Sequence, residues 1–528
     1  MNYCEYLAVH AVNSPELPAI RYAQADNSPA TVSYRQLFSQ AGEFQRWMAN
    51  AGLTQGARVL LLLSPGPDFY RLFYAMLGAG IVPVLLEKGF TIKQLRHCLR
   101  QARLTAMVVA DGMAKRWFLL PELWRIRRFT FDSKRRGMTY LPDADKSMSS
   151  NGSAEFRVTP VESDDTALIT FTSGSTGMPK GVIRSHRSLL AQSRALADAF
   201  PEMQQNDMSS FPVLTLFSHY GAGCSHLVAP PGKNGLIDAP QIVLHINRYG
   251  LTRLSASPAW IAQILACARE LGCVFPSVKR LVIGGAPVNK ALLLACLRYF
   301  PFAHCGVNYG STEAEPISYI DMVTLLEQWE QQPGYLVGAP GKETRVIIRC
   351  PSPSSPQEIV PMPDGEIGEI IVSGPQVLER YLNNPEANYQ HKIRDREGRL
   401  WHSTGDSGFL DASGRIWLTG RIKDEVRSRT GLRIAPFIVE KTLNDLPGVG
   451  LSALIQGAEG EIAVVLQNAQ SYQAAATLVK ALLPGENIRF YHTPHFPMDP
   501  RHHSRVDRGC LRKMRVQGKL TPLWQGAQ

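Results

Sequence analysis

One segment of the chain gathers hydroxyl groups, glycines and a lysine closely enough to bind a chain of phosphates. It reads TSGSTGMPKG over residues 172–181 and directly follows the apolar run of residues 167–171. Glycine allows close backbone approach to an anion, hydroxyl and amide groups donate hydrogen bonds, and the ammonium of Lys180 supplies a positive charge. The segment is not the usual P-loop, because no Gly-Lys-Ser/Thr follows a four-residue spacer. We predict a phosphate-binding loop, and a flexible Ser/Gly loop is the alternative. The residues of the predicted loop are Thr172, Ser173, Gly174, Ser175, Thr176, Gly177 and Lys180.

Two other short motifs place polar side chains beside glycine. Residues 309–313 read YGSTE, and residues 403–406 read STGD. Taken alone, each favours a structural role, because a tyrosine beside a glycine is typical of a core aromatic in a tight turn. An aspartate in a Gly-rich segment is likewise typical of a turn former.

Taken together and in this order, the three motifs resemble those of acyl-CoA synthetases, peptide-synthetase adenylation domains and luciferases. The resemblance runs from about residue 15 to the C-terminus. It implies an acyl-adenylate-forming enzyme that uses ATP and magnesium to convert a carboxylic acid into an acyl-AMP, with release of pyrophosphate.

The resemblance also assigns roles around the phosphates. Residues 172–180 would clasp the β- and γ-phosphates, with Thr176 and Lys180 as the side-chain contacts. Glu313 would hold magnesium, which prefers oxygen ligands, and Thr312 would donate to the α-phosphate. Glu313, Lys180 and Thr312 are therefore expected to act in the chemistry.

The nucleoside would lie against three further segments. Asp406 would take the ribose hydroxyls, with the Arg421 guanidinium behind it. Lys423 would mark the hinge about which a small domain rotates, although the run from residue 421 is about one residue longer than the common pattern. The residues expected to contact the adenine side of the nucleotide are Gly285, Ala286, Pro287, Asn308, Tyr309 and Gly310.

The C-terminal motif departs from the family pattern. Members usually carry a Lys-Ile-x-Arg-x-x-Leu run whose lysine reaches the adenylation site, whereas residues 505–511 read RVDRGCL and place Arg505 at the lysine position. Arginine keeps the charge but is planar and bulkier, so adenylation is expected to be slower or to use a different pose. A catalytically weak nucleotide-binding pseudoenzyme is the alternative, and the presence of Lys180, Glu313 and Asp406 argues against it.

The residues before that motif indicate a subfamily. FPMDPRHH at 496–503 is similar to the Pro-x-Asp-x-Arg-His segment of the β-lactone synthetases of bacterial olefin biosynthesis. FPVLTLF at 211–217 is similar to their acyl-pocket strand, and residues 83–85 to an early core segment. In such enzymes the acid carries a 3-hydroxyl, which attacks its own acyl-AMP carbonyl and closes a β-lactone without coenzyme A. A fatty or aryl acyl-CoA ligase is the alternative.

Two other patterns suggest chemistry that we do not predict. The histidines at 492, 495, 502 and 503 match no standard zinc spacing. GDSG at 405–408 is superficially like a serine protease segment, yet nothing upstream suggests the barrel fold or the His and Asp partners.

Bulk composition sets wider limits. The 528 residues carry a net charge of +11, which favours anionic ligands without selecting among them, and we predict no nucleic-acid partner. Nine scattered cysteines without a CxxC pair fit a reducing compartment. With neither a secretory signal nor an apolar run long enough to span a membrane, we predict a cytoplasmic protein. Association with other pathway enzymes stays open.

The elements that must position these residues are short apolar strands alternating with helical patterns. The runs at 59–63, 107–110, 168–171 and 281–283 predict buried parallel strands, and the run at 72–86 predicts a core helix leading into a core strand. The pattern restarts after Gly420. We predict an α/β protein with a large layered sheet-and-helix AMP-binding domain at 1–420 and a small mobile α+β domain at 421–528.

Overall fold

A computed structural model describes most of the chain, in two compact units. The described residues are 1–24, 28–87, 89–110, 117–131, 137–141, 155–172, 178–229, 231–232, 234–351, 354–458, 460–499 and 504–523. Unit 1 comprises Met1–Ser255, Thr312–Glu315 and Pro375–Lys392. Unit 2 comprises Ala256–Ser311, Pro316–Gly374 and Ile393–Gln528.

Helices and strands are distributed along the whole described chain. The helices are α1 (Cys4–Asn13), α2 (Tyr34–Asn50), α3 (Pro67–Gly78), α4 (Ile92–Ala102), α5 (His186–Ala199), α6 (Leu214–Tyr220), α7 (Ala239–Tyr249), α8 (Pro258–Glu270), α9 (Lys290–Tyr299), α10 (Met322–Glu327), α11 (Pro385–His391), α12 (Pro436–Asn444), α13 (Tyr472–Leu482) and α14 (Arg508–Val516). The strands up to the middle of the chain are β1 (Pro18–Ala23), β2 (Pro29–Ser33), β3 (Arg58–Leu62), β4 (Val82–Leu86), β5 (Ala106–Val109), β6 (Arg127–Thr130), β7 (Thr139–Tyr140), β8 (Thr166–Thr172), β9 (Lys180–Ser185), β10 (Asn206–Ser209), β11 (Cys224–His226) and β12 (Arg253–Ala256). The later strands are β13 (Arg280–Gly284), β14 (His304–Ser311), β15 (Ala314–Asp321), β16 (Tyr335–Pro340), β17 (Arg345–Arg349), β18 (Gly368–Ser373), β19 (Lys392–Arg394), β20 (Leu400–Leu410), β21 (Ile416–Arg421), β22 (Val426–Arg427), β23 (Arg433–Ile434), β24 (Ser452–Gln456), β25 (Ile462–Leu466), β26 (Ile488–His492) and β27 (Thr521–Leu523).

Unit 1 contains a seven-stranded sheet in the order β7-β6-β5-β3-β4-β8-β9. Its strands pair in parallel, except that β8 and β9 are antiparallel. The strands predicted at 59–63, 107–110 and 168–171 are β3, β5 and β8, and the predicted parallel pairing is confirmed. In the same unit β12, β10, β11 and β1 are parallel neighbours, and β2 pairs with β1 in the antiparallel sense.

The predicted passage from core helix to core strand is confirmed at α3 and β4. The residues of α3 from Phe69 to Gly78 are all buried, because apolar and aromatic residues occupy every side of the helix. Gly80 has a φ of 66°, a left-handed conformation that glycine adopts at little cost, and this turn leads the chain into β4.

The segment at 211–217 is not the expected strand. A turn is closed by hydrogen bonds from Leu214 N to Phe211 O and from Thr215 N to Pro212 O, and α6 begins at Leu214. Pro212 is the second residue of this turn, a position that proline favours because its ring fixes the backbone φ that the turn needs. A seven-residue apolar run carries no period that separates a strand from a short buried helix, which explains the error.

Unit 2 contains strands in the order β17-β18-β20-β21-β16-β15-β14-β13, with β13 and β14 in parallel. Residues 426–523 form β22 to β27 with α12 to α14, and β24 to β27 build a separate four-stranded sheet. The predicted restart after Gly420 corresponds to these elements. A domain boundary between residues 420 and 421 stays a prediction, since both residues belong to unit 2.

Candidate active site

The ends of the predicted phosphate-binding loop are held side by side in unit 1. Thr172, the last residue of β8, pairs with Lys180, the first residue of β9, in the antiparallel register of the two strands. Both side chains are buried. Ser173, Gly174, Ser175, Thr176 and Gly177 lie outside the described residues. The described part therefore shows that the two ends of the predicted loop lie on neighbouring, hydrogen-bonded strands.

Lys180 and Glu313, which the sequence places far apart, meet at one tyrosine. The Lys180 Nζ lies 5.3 Å from the centroid of the Tyr381 ring and 2.9 Å from the Nε2 of His391. The Tyr381 hydroxyl donates to the Glu313 Oε1 at 2.9 Å. Neither Tyr381 nor His391 was marked by the sequence motifs.

The backbone around Glu313 is fastened within unit 1. The Glu313 carbonyl accepts a hydrogen bond from Leu378 N at 2.8 Å, and Ala314 forms an antiparallel bridge with Val377. The Thr312 carbonyl accepts from the Arg184 guanidinium at 3.2 Å. The backbone of the predicted pair Thr312 and Glu313 is thus held by contacts within unit 1.

A second lysine, Lys392, lies beside the same tyrosine. Its Nζ is 5.5 Å from the Tyr381 ring centroid, donates to the Leu378 carbonyl and is buried. Burial lowers the pKa of Lys392 to about 8, and the nearby Glu313 carboxylate opposes that shift. The cluster therefore holds two buried lysines and a carboxylate around one phenol.

In unit 2, Asp406 binds two of the predicted residues. Its Oδ1 lies 2.7 Å from the Arg421 Nε, and its Oδ2 accepts from the Tyr309 hydroxyl at 2.8 Å. Burial and the Asp406 carboxylate hold the pKa of Tyr309 well above its usual range, so the hydroxyl remains a donor. Tyr309 lies in β14 and Asp406 in β20, so neither occupies the tight turn that the motifs alone would favour.

The predicted adenine segment meets the C-terminal motif within unit 2. Gly284 pairs with Asn308 in the β13–β14 register, and Gly285 continues with a φ of 90°. The Gly285 carbonyl accepts a hydrogen bond from the Arg505 Nε at 2.6 Å. Ala286, Pro287 and Gly310 are half-buried.

The backbone at Arg505 is shaped by Asp499. The Asp499 Oδ1 accepts from Arg505 N at 2.8 Å and from Ser504 N at 3.2 Å, and Asp499 N donates to the Arg505 carbonyl at 2.8 Å. The Ser504 Oγ accepts from Ala259 N at 3.3 Å. His502 and His503 lie outside the described residues.

Lys423 is the middle residue of a single 3-10 turn, Ile422–Asp424, directly after β21. Its side chain is exposed. Asp424 in the same turn accepts from Arg512 at 3.2 Å. The structure thus places the predicted hinge in a short turn with one ion pair beside it.

Most of the chain matches one known protein family. The family model described as AMP-binding enzyme matches residues 7–382. The chain belongs to the AMP-binding enzyme family. The recognition made from the three motifs is confirmed, and this AMP-binding enzyme is an acyl-adenylate-forming ligase that activates an acid with ATP.

Curated relatives of the AMP-binding enzyme include two kinds of ligase. It is 30% identical over 509 residues to an olefin beta-lactone synthetase of Stenotrophomonas maltophilia, covering 91% of this chain and 90% of the relative. An olefin beta-lactone synthetase of Xanthomonas campestris is 30% identical over 512 residues, with the same coverage of both chains. 4-Coumarate–CoA ligase 2 of Petroselinum crispum is 26% identical over 444 residues, covering 80% of this chain and 77% of the relative.

Solved structures confirm the α/β fold of the AMP-binding enzyme. An amide bond synthetase from Marinactinospora thermotolerans matches with a TM-score of 0.78 at 20% identity, covering 97% of this chain and 99% of its own. ATP-bound MatB from Rhodopseudomonas palustris matches with a TM-score of 0.79 at 21% identity, and the match covers 98% of this chain and 100% of the MatB chain. Among the described residues, no helix is long and apolar enough to cross a membrane.

Proposed function

We propose that this AMP-binding enzyme converts a 3-hydroxy fatty acid and ATP into a β-lactone, AMP and pyrophosphate. The observation that carries the proposal is the similarity to two olefin beta-lactone synthetases along nine-tenths of this chain and of each relative. Asp499, which lies in the segment that resembles those enzymes, adds a local observation, because its carboxylate accepts hydrogen bonds from the backbone of Ser504 and Arg505.

The first step is attack of the acid's carboxylate on the α-phosphate, with pyrophosphate as the leaving group. In our proposal residues 172–180 bind the β- and γ-phosphates, and the buried ammonium of Lys180 stabilises their charge. Thr312 donates to the α-phosphate. Charges and donors that are held in place before the reaction need no reorganisation as charge develops, and this is why electrostatics carries the step.

Glu313 fits the magnesium that the family uses. Its carboxylate offers hard oxygen donors, and one of these oxygens is held by the Tyr381 hydroxyl. A single carboxylate suits magnesium, which keeps several waters and takes further oxygens from substrate phosphates. Bound there, magnesium would neutralise charge on the triphosphate.

The nucleoside is assigned to the cluster in unit 2. Asp406 would accept the ribose hydroxyls through lone pairs that remain after its contacts with Arg421 and Tyr309. Asn308, which pairs with Gly284 in the β13–β14 register, and the following Gly285 would lie at the adenine. Lys423 stays our proposed hinge.

Arg505 is proposed to add positive charge in the first step. It occupies the position of the usual lysine, and its guanidinium is bound to the Gly285 carbonyl at the proposed adenine segment. A guanidinium carries five donors in a planar fork whose geometry matches the oxygens of a phosphate or a carboxylate.

The second step closes the ring within the acyl-AMP. The 3-hydroxyl oxygen attacks the acyl carbonyl, a carbon–oxygen bond forms, the bond to the AMP oxygen breaks, and the hydroxyl proton is released. Tethering the hydroxyl replaces the encounter with a second substrate, although ring strain offsets part of that advantage. Coenzyme A is therefore not required.

Thioester formation with coenzyme A is the second candidate, favoured by the similarity to 4-coumarate–CoA ligase 2 over 80% of this chain. The deciding experiment incubates the full chain with ATP and magnesium, with and without coenzyme A, and compares 3-hydroxy fatty acids with the same acids lacking the hydroxyl. We expect a lactone by NMR and mass spectrometry from the 3-hydroxy acids alone, independent of coenzyme A. A product that forms only with coenzyme A, with no lactone, contradicts the proposal.

A further inference from the structure

The phenol of Tyr381 connects the two groups that the proposed mechanism needs at the phosphates. We propose that Tyr381 is a positioning residue, which holds the Glu313 carboxylate in the orientation that binds the divalent cation. The inference rests on the proposed role of Glu313 as the magnesium ligand. It does not depend on which acid is activated or on whether the product is a lactone.

The first argument is that Tyr381 has little freedom to move. Its side chain is only 3% exposed and packs with Val182, Leu378 and Ala387 in a small apolar cluster. Its backbone is fixed at both polar atoms, because Tyr381 N donates to the Asn388 Oδ1 at 2.7 Å and its carbonyl accepts from the Asn388 Nδ2 at 3.2 Å. A hydroxyl on a ring held in this way is a fixed donor.

The second argument is the bond itself. The Tyr381 hydroxyl donates to the Glu313 Oε1 at 2.9 Å. The contacts of residues 312–314 described above fix the backbone but not the rotation of the Glu313 side chain. A donor directed at one oxygen of its carboxylate fixes that rotation as well. Bonded in this way at Oε1, the carboxylate is held in a single orientation in which to bind a metal ion. Groups of this kind, which bond to a metal ligand without touching the metal, typically change metal affinity by about tenfold to a hundredfold when removed.

The third argument is the arrangement of charge. Lys180 and Lys392 place their ammonium groups 5.3 Å and 5.5 Å from the centroid of the same ring, and both lysines are buried. The ring attracts both cations, and two buried like charges require a nearby anion. Glu313, held on the hydroxyl of that ring, supplies one. The orientation of the Glu313 carboxylate is therefore coupled to Lys180, the lysine that we assign to the phosphates.

The test uses Tyr381→Phe in the full chain, which keeps the ring and both lysine contacts and removes only the hydroxyl. Mn²⁺ serves as the probe, and its binding in the presence of ATP is measured by electron paramagnetic resonance, without any acid. We expect Mn²⁺ to bind about tenfold more weakly than in the wild type, in line with the effect of such supporting groups. Pyrophosphate release should fall, with an unchanged KM for the acid.

Tyr34→Phe is the matched control, because the Tyr34 hydroxyl is also buried in unit 1 and donates to the Gly223 carbonyl at 2.8 Å. This variant should bind Mn²⁺ as the wild type does. In a Glu313→Gln background, adding Tyr381→Phe should change Mn²⁺ binding no further, because the carboxylate that the hydroxyl orients is already gone.

Two results overturn the inference and are distinguishable. Wild-type binding of Mn²⁺ in Tyr381→Phe, with weakened binding in Glu313→Gln, removes the role of Tyr381 and leaves Glu313 as the metal ligand. Unchanged binding in Glu313→Gln removes the role of Glu313 in the proposed function, and the role of Tyr381 with it.

Discussion

Arg421 lies directly across the β20–β21 strand pair from Asp406, and its Nε is 2.7 Å from the Asp406 Oδ1. The other carboxylate oxygen accepts from the Tyr309 hydroxyl. The carboxylate is thereby held at both oxygens, by a neighbour in the sheet and by a residue from a different motif. A group fixed in this way is suited to select one position of a ribose.

Asp406→Asn tests that role, because asparagine keeps the shape and removes the charge. We expect the KM for ATP in pyrophosphate release to rise about tenfold, the scale for losing a hydrogen bond to a charged group. Asp411→Asn is the control, since Asp411 also pairs with an arginine, Arg415, at 2.8 Å but has no assigned role. An unchanged KM in Asp406→Asn, or an equal rise in both variants, would contradict the assignment.

Lys180→Ala and Glu313→Ala test the phosphate and magnesium assignments. Each should reduce the rate of pyrophosphate release by about tenfold to a thousandfold, the scale for removing one preorganised polar contact. Lys290→Ala, which removes an exposed lysine paired with Glu330, should leave the rate unchanged. The assignments fail if both site variants release pyrophosphate at the wild-type rate.

Arg505 is tested by two replacements in the acyl-AMP-forming step. If the residue acts mainly through its charge, Arg505→Lys should equal or exceed the wild type, while Arg505→Ala should fall well below both. Arg489→Ala, at a half-exposed ion pair with Glu461, is the control and should match the wild type. Wild-type rates in Arg505→Ala would show that this position takes no part in adenylation.

His219 should make the fold sensitive to acid. The Tyr74 hydroxyl lies 2.5 Å from its Nδ1 and the Ala19 carbonyl 2.8 Å from its Nε2, an arrangement that the neutral ring with a proton on Nε2 satisfies at both nitrogens. Burial lowers the pKa of His219 to about 4, against about 6.5 in an unfolded chain. The unfolded state therefore binds the proton more tightly, and stability falls as the pH drops from 6.5 towards 4.

Protonation of His219 should lower the free energy of unfolding by an amount on the order of 3 kcal/mol once the pH is below the pKa of His219 in the folded protein. Urea unfolding at pH 7 and pH 4 measures it, and His219→Gln should show a smaller drop between the two values. Burial also lowers the pKa values of His186, His226 and His245, so the variant should keep part of the acid sensitivity. An identical drop in the variant and the wild type would show that His219 contributes nothing to it.

The sequence by itself determined the family and the type of chemistry. Residues 172–181, 309–313 and 403–406 are recognisable because close approach to a phosphate or ribose demands particular residue types at adjacent positions. The buried strands β3, β5 and β8 were also predictable, because short apolar runs encode them locally.

The tertiary structure alone decided which residues surround those motifs. Tyr381 is 68 residues from Glu313 along the chain, and Lys392 has no motif of its own, yet the packing of unit 1 brings them together. Arg421 faces Asp406 because of the β20–β21 register, and Asp499 holds the backbone at Arg505 through hydrogen bonds. At 211–217 a turn and the start of α6 stand where a strand was expected, because a short apolar run is compatible with either element. Strand register and packing depend on contacts between distant segments, and no local pattern of residue types specifies them.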